Sequence, residues 1–260
     1  MTSRKDIYRK FGRLTYTKGA SVVRMMEAVL TRPTFNRGIA SYVRDFSYSN
    51  ADEEALFSHL EAAGREDGTW NISRSFGDVL GGWTRRAGFP LVTVTRNWGE
   101  EGGGGDRLVL RQKRFVREGG GEEEKGTRWD IPVSYSTAGA GDGDDWEDTA
   151  PSLWMTRDED SVEVVLKNTS TSVPVVVNVQ AAGFYRVNYD DTSWQLIAAT
   201  LDARREAVHP LNRAQIICDV VSLARAGQVS QEVRDGVLAY IGREDHPTPL
   251  RAFRECVLFG

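Results

Sequence analysis

Residues 75–95 read Ser-Phe-Gly-Asp-Val-Leu-Gly-Gly-Trp-Thr-Arg-Arg-Ala-Gly-Phe-Pro-Leu-Val-Thr-Val-Thr, and a change of hydrophobic period inside this stretch decides the fold. A helix is predicted to start at Ser75, because apolar residues follow it at the helical spacing of three to four. These apolar residues are Phe76, Val79, Leu80 and Trp83. Gly88 and Pro90 end the helix, and residues 91–95 then alternate with the period of two that is typical of a strand. The sequence therefore predicts helices before residue 90 and strands after it.

Three more helices are predicted in the first 90 residues. The first covers about residues 19–31 and buries one face, formed by Val22, Met26, Val29 and Leu30. Pro33 interrupts it, and the second helix begins near Thr34. Asn50 is predicted to cap the third helix, because Glu53 stands three residues later as in a capping box. Residues 1–90 are thus expected to be helical.

Residues 91–180 are expected to form an antiparallel β-sandwich. Six strands are predicted, at 91–95, 108–116, 129–135, 152–156, 162–167 and 173–179. Trp129, Ile131, Val133 and Tyr135 alternate strictly, as they do in a strand with one buried face. Glycine-rich stretches at 102–105, 119–121 and 139–148 read as the loops between strands.

From Thr192 the helical period returns and continues to the last residue. Three helices are predicted around Trp194, Ile217 and Val237, and a fourth begins after Pro249. This fourth helix is cut off at Gly260, in the apolar run that begins at Cys256, so residues 181–260 are expected to be the first part of a truncated helical domain.

Composition excludes several classes of protein. The chain has 260 residues and a formal net charge of −4, and its basic residues form no block, so nucleic-acid binding is not indicated. No run approaches the eighteen or so apolar residues that a membrane span needs, and the N-terminus lacks the apolar core of a signal peptide. The two sequons, at Asn71 and Asn168, predict glycosylation if the protein is exported.

The two cysteines and the other polar motifs give no complete active site. Cys218 lies on an apolar helical face, which favours a buried structural thiol, while a disulfide with Cys256 stays open. The glycine loops lack the Gly-Lys-Ser/Thr of a phosphate site, and Asp142–Asp145 lacks the later glutamate of a calcium loop. The three histidines, His59, His209 and His246, form no zinc-binding pair.

Any chemistry is most readily placed at Leu14-Thr-Tyr-Thr-Lys-Gly-Ala20, at the entry to the first predicted helix. The Tyr16 hydroxyl there could donate a hydrogen bond to an oxyanion, with Lys18 and Gly19 forming a polar turn beside it. The ring could equally be a half-buried packing residue whose hydroxyl binds backbone. Spacing alone favours the packing interpretation, because most tyrosines are packing residues.

Several motifs in a fixed order resemble those of a known family. They are Phe11-Gly-Arg-Leu-Thr-Tyr-Thr-Lys-Gly-Ala20, Trp83-Thr84 with Gly88-Phe-Pro90, Gln112–Phe115 with Trp129–Tyr135, Gly183-Phe-Tyr-Arg-Val-Asn-Tyr-Asp190 with Trp194, and Arg213-Ala-Gln-Ile-Ile-Cys-Asp219 with Leu223–Gly227. Together they resemble the zinc aminopeptidases of the aminopeptidase N family, gluzincins that remove N-terminal residues from peptides. Gly12 and Leu250 depart from the family pattern, which usually has aspartate and an aromatic residue at these places.

The resemblance implies a multidomain α+β architecture. Residues 1–90 would be the C-terminal helices of a thermolysin-like catalytic domain, 91–180 its β-sandwich domain and 181–260 the start of a superhelical all-α domain. It also implies that Tyr16 stabilises the oxyanion formed when water attacks the scissile carbonyl. The family holds zinc with His-Glu-x-x-His and a later glutamate, and these motifs do not occur in the 260 residues. The chain alone is therefore expected to bind no zinc and to be inactive.

The resemblance also gives expectations about the partners of the protein and its cellular compartment. An intact enzyme would act on peptide substrates and could form a homodimer. The alternative is a non-catalytic peptide-binding or dimerisation module derived from the family. Localisation would be at the cell surface or outside the cell, with the cytoplasm as the alternative.

Overall fold

A computed structural model describes residues 13–98, 106–117, 126–138, 146–166 and 169–258, with helix giving way to strand where the sequence predicts it. The elements belong to two units. The first takes the chain up to Ala87 together with residues 149–151 and 182–184, and the second takes residues 88–148, 152–181 and 185–260. A mixed α and β structure is thereby confirmed, while the division into three domains stays a prediction.

From residue 13 onward, where the structure describes the first unit, it has four helices: α1 (Arg13–Leu30), α2 (Arg32–Asp45), α3 (Glu53–Glu66) and α4 (Phe76–Arg85). Helices α1 and α2 meet at Thr31, whose φ of 65° turns the chain, and a proline lies in the first turn of α2. The core residues with no exposed surface are Leu30, Leu60, Phe76 and Trp83.

The cap of α3 differs from the prediction. Asp52, not Asn50, is its N-cap, and the Asp52 side chain accepts a hydrogen bond of 2.9 Å from the backbone N–H of Ala55. The prediction of Asn50 was wrong by two positions. Aspartate is as good a cap as asparagine, and its charge adds a favourable interaction with the positive end of the helix dipole.

The described part of the second unit has eight strands: β1 (Pro90–Asn97), β2 (Arg107–Arg114), β3 (Ile131–Val133), β4 (Tyr135–Thr137), β5 (Leu153–Met155), β6 (Val162–Val165), β7 (Val175–Val177) and β8 (Arg186–Tyr189). One sheet has the order β6-β2-β1-β8, while β3 pairs with β5 and β4 pairs with β7. The pairings among these eight strands are antiparallel except that of β8, which runs parallel to β1 with Leu91 opposite Arg186. Strand β8 was not predicted, and the sandwich arrangement of these sheets stays a prediction.

The helices of the second unit are α5 (Asp191–Arg204), α6 (Pro210–Arg225), α7 (Gln231–Leu238) and α8 (Pro247–Phe253), followed by a π-helical turn over Arg254–Leu258. Asp190 joins sheet to helix, because its carboxylate accepts from the Ser193 N–H in the first turn of α5 and from the Arg96 N–H in β1. In the described residues no helix combines the length and hydropathy that a membrane crossing requires.

Motifs that are distant in sequence are bonded to each other in this unit. The Gln112 side chain accepts from the Trp129 N–H and donates to the Trp129 carbonyl, both at 2.9 Å. Asp219 on α6 binds the Arg186 guanidinium at 2.7 Å and accepts from the Val187 N–H at 2.9 Å, so it ties α6 to β8. Asp219 is 3% exposed, and its hydrogen bonds offset much of the cost of burying a charge.

The two cysteines form a disulfide that joins α6 to the π-helical turn. Cys218 and Cys256 are 38 residues apart in sequence, and their Cα atoms are separated by 5.4 Å. The interpretation of Cys218 as a buried structural thiol was therefore wrong, and the disulfide with Cys256 that the sequence left open is present. An apolar helical face is occupied in the same way by a thiol and by a half-cystine, so the sequence pattern cannot separate them.

Replacing Cys256 with serine is expected to lower the free energy of unfolding by about 2–4 kcal/mol, because the 38-residue loop is then open in the unfolded chain. Urea titration followed by circular dichroism measures the change. The double variant Cys218→Ser/Cys256→Ser should lose the same amount, and a reductant should destabilise the parent chain alone. A parent chain insensitive to reductant would contradict the bond.

A second buried link holds α6 to the loop before α8. The Arg213 guanidinium binds both carboxylate oxygens of Glu244, at 2.7 and 3.0 Å, and the Glu244 side chain has no exposed surface. Burial disfavours the charged form of Glu244. Hydrogen bonds from Arg213 and from the N–H groups of His246 and Asp245 outweigh burial and hold the pKa of this carboxyl below its ordinary value.

The lowered pKa predicts a specific acid sensitivity. A depressed carboxylate pKa adds stability that is complete above the unfolded-state pKa of about 4.3 and is lost as pH falls through the folded-state pKa. The difference in free energy of unfolding between the parent chain and Glu244→Gln should therefore be constant from about pH 5.5 upward and shrink below about pH 4.3. Urea titrations from pH 3 to 7 measure it, and a difference that grows on acidification would contradict this assignment.

Candidate functional site

Tyr16 lies on α1 with 64% of its surface exposed. The packing interpretation required a half-buried tyrosine. Tyr16 has a larger exposed fraction than that interpretation requires. The neighbouring turn predicted at Lys18 and Gly19 is wrong, because α1 continues without a break from Arg13 to Leu30. Gly19 is therefore a helical residue.

A cavity of about 450 Å³ lies in the first unit beside this part of α1. Helix α1 lines it with Lys18, Gly19, Val22, Val23 and Met26, and the other side is formed by α3 and α4. Residues three and seven positions after Tyr16 share its helix face, and these are Gly19 and Val23. Tyr16 thus stands on the α1 face that lines the cavity, two residues before the lining begins at Lys18. The volume is within the range of small-ligand pockets.

Lys18 fixes α1 to the end of α4. Its ammonium group donates a hydrogen bond of 2.7 Å to the carbonyl of Arg86 and lies 6.0 Å from the centroid of the Phe184 ring. Burial lowers the pKa of Lys18. Arg86 is 68 residues away in sequence, so helical period and local motifs could not have revealed this contact.

Gly19 is expected to lower the free energy of unfolding relative to alanine at the same position. A helical glycine is about 0.5–1 kcal/mol less favourable than alanine, and a Cβ added at Gly19 meets no atom within 4 Å. Gly19→Ala should therefore raise the free energy of unfolding by about 0.5–1 kcal/mol, measured by urea titration. Gly38→Ala on α2 is the matched control, because its Cβ would lie 2.9 Å from Leu60 Cδ2 and should destabilise. Equal effects at the two positions would contradict this account.

The sequence of the first unit matches one known domain and the end of the second unit matches another. Residues 1–76 match the Peptidase family M1 domain, and residues 174–256 match the ERAP1-like C-terminal domain. The membrane alanyl aminopeptidase of Manduca sexta is 36% identical over 242 residues, which are 92% of this chain and 23% of that protein. Aminopeptidase Ey of Gallus gallus is 30% identical over 250 residues, which are 93% of this chain and 23% of that protein.

The chain belongs to the aminopeptidase N family. Aminopeptidase N of Bos taurus adds a third relative, 30% identical over 228 residues, which are 86% of this chain and 22% of that protein. The chain spans less than a quarter of the length of these curated relatives. The family assignment made from the ordered motifs is thereby confirmed.

The aminopeptidase N family consists of zinc peptidases, and a zinc site needs several His, Cys, Asp or Glu side chains that converge on one point. Within ranges 13–98, 106–117, 126–138, 146–166 and 169–258, no group of three or more His, Cys, Asp or Glu side chains could hold a metal ion. The donor set that zinc requires is thus not assembled by these residues, and no catalytic step through zinc is derived from them.

The remaining candidates from the sequence are the two sequons, the acidic run and the three histidines. Asn71 is exposed in the loop between α3 and α4. Asn168 and the acidic run Asp142–Asp145 lie outside the described residues. Of the histidines, His59 contacts Ser41 through Nδ1 at 3.0 Å, whereas His209 and His246 cap α6 and α8. The two capping histidines therefore have structural roles that their spacing did not reveal.

Proposed function

We propose that this chain is part of a zinc metallo-aminopeptidase that removes N-terminal residues from peptides. Its contribution would be the oxyanion-stabilising hydroxyl of Tyr16, together with the helices that support it. The observation that carries the proposal is the exposed ring of Tyr16, in a motif of the family and on the α1 face that lines a cavity.

The chemistry asked of Tyr16 is a single hydrogen bond. When water attacks a peptide carbonyl, negative charge develops on the carbonyl oxygen, and a positioned phenol can donate to that oxygen. Such a donor accelerates the reaction only if it binds the transition state better than the substrate. The position of the Tyr16 hydroxyl therefore matters. Lys18, two residues after Tyr16, supports this position, because its hydrogen bond to the Arg86 carbonyl holds α1 to the end of α4.

Residues 1–260 alone are proposed to lack activity, because the zinc motifs of the family do not occur in them. The test is to purify the full chain, measure bound zinc by atomic spectroscopy after dialysis against zinc, and assay hydrolysis of alanyl and leucyl anilides. We expect substoichiometric zinc and no turnover. Stoichiometric zinc with turnover that a chelator abolishes would overturn the proposal.

The second candidate is a non-catalytic peptide-binding module. It is favoured by the 450 Å³ cavity and by the apolar residues Val22, Val23 and Met26 that line it. Calorimetry with a set of short peptides discriminates the two functions, because saturable binding without zinc or turnover supports the module. Val23→Asp, which places a charge in the cavity wall, should then abolish binding.

A further inference from the structure

Both cysteines of the chain are joined in the Cys218–Cys256 disulfide. Its formation takes two protons and two electrons from the thiols, which an oxidised dithiol protein can accept by thiol–disulfide exchange. Such bonds persist in secreted and lumenal proteins and are rare in the cytosol, where thiols are kept reduced. The bond is therefore typical of a chain that folds in an oxidising compartment. In secreted and lumenal proteins, the asparagine of an Asn-x-Ser sequon can be glycosylated.

The loop that carries the Asn71-Ile-Ser73 sequon is anchored by the residue before it. Trp70 is 2% exposed, its N–H donates to the Gly64 carbonyl at 3.0 Å, and its indole N–H donates to the Arg74 carbonyl at 3.1 Å. These two bonds hold the loop on both sides of the sequon. The anchor thus fixes where Asn71 emerges from the first unit.

A second clamp draws the backbone of the loop inward. The Arg65 guanidinium donates to the carbonyls of Ile72 and Arg74, at 3.3 and 3.4 Å. Asn71 and Ser73, on either side of Ile72, are both exposed. A bulky substituent on Asn71 would therefore extend into solvent without displacing Trp70 or the helices α3 and α4.

Of the second sequon the structure describes Thr169 and Ser170. Its hydroxyl residue, Ser170, accepts a hydrogen bond from the Arg96 guanidinium through its carbonyl, at 3.0 Å. The Ser170 hydroxyl lies 2.9 Å from that of Ser172. This part of the chain is bound to the buried Arg96 side chain, whereas the Asn71 sequon presents both of its functional residues to solvent.

We propose that Asn71 is an N-glycosylation site. The donor is an oligosaccharide linked through pyrophosphate to a lipid. The Asn71 carboxamide nitrogen forms a bond to C1 of the first sugar and loses one proton, while the C1–O bond breaks and the lipid pyrophosphate leaves with the electron pair. No oxidation or reduction occurs. The proposal is independent of the catalytic role of Tyr16.

The test uses the full chain, expressed in insect cells behind a cleavable secretion leader and with Asn168→Gln to silence the second sequon. A peptide amidase that converts glycosylated asparagine to aspartate is applied in heavy-oxygen water, and the peptide that contains position 71 is analysed by mass spectrometry. We expect the heavy label at this position in most chains. Ser73→Ala should abolish the label, and Ser73→Thr, which preserves the sequon, should retain it.

The peptide is read from both secreted and retained chains, so a variant that folds poorly still gives a result. Pairing of Cys218 with Cys256 is measured on the same sample by non-reducing peptide mapping. A paired disulfide with an unlabelled Asn71 would overturn the proposal. A label that persists in Ser73→Ala would overturn it as well, because spontaneous deamidation would then be its source.

Discussion

Replacing Tyr16 by phenylalanine is expected to lower kcat about 10²- to 10³-fold in an enzyme that contains this chain, because the proposed oxyanion donor is removed. The enzyme for the measurement is a chimaera in which this chain replaces the matching segment of the Manduca sexta membrane alanyl aminopeptidase, 36% identical over 242 residues. KM should change little, since the hydroxyl acts only as charge develops on the carbonyl oxygen.

Tyr48→Phe is the matched control for this substitution. Tyr48 is fully exposed and belongs to the same unit, and loss of its hydroxyl should leave kcat unchanged. Both variants should unfold at the urea concentration of the parent chimaera, because an exposed hydroxyl contributes little to stability. If Tyr16→Phe raised KM and left kcat intact, Tyr16 would be a substrate-binding residue and the oxyanion role would be wrong.

The largest expected effect on stability comes from Glu244. Glu244→Gln should lower the free energy of unfolding by about 3–5 kcal/mol at pH 7, because it leaves the buried Arg213 charge without its partner. The change keeps the shape of the side chain, so a cavity contributes nothing. Urea titration of the full chain gives the value.

Glu255→Gln supplies the comparison within the same unit. Glu255 binds Arg251 at 2.8 Å, but the two side chains are 51% and 78% exposed, and solvent screens the pair. Its loss should leave the urea midpoint unchanged within error. Equal destabilisation by the two glutamine variants would mean that the Arg213–Glu244 contact contributes through hydrogen bonds that glutamine can replace, and would contradict the charge argument.

Local patterns were enough to predict most of the elements. The change of period at Gly88–Pro90 depends on neighbouring residues alone, and the structure has α4 end at Arg85 and β1 begin at Pro90. Strand β8 was missed because its four residues become a strand only through pairing with β1, almost a hundred residues earlier. The disulfide was left open for the same reason, since 38 residues separate its cysteines and only the fold brings them together.

The candidate site also has one part that neighbouring residues predict and one part that depends on the fold. Tyr16 could be proposed from the sequence because its motif is contiguous, whereas the support that Lys18 gives to α1 depends on Arg86, which only the fold places within reach. The motif Gly183–Asp190 contributed to the family resemblance, and the structure shows which contacts two of its residues make. Arg186 binds Asp219, and Asp190 caps α5 while accepting from Arg96.

The parallel pairing of β8 with β1 determines where the chain can be divided. A shortened chain that ends at residue 180, the boundary suggested by the sequence, would remove β8 and leave β1 as an open strand with unpaired N–H and C=O groups. An open, apolar edge of this kind recruits other strands and leads to aggregation. For recombinant work the sheet should therefore be retained with residues up to Tyr189, so that β1 keeps β8 as its hydrogen-bonding neighbour.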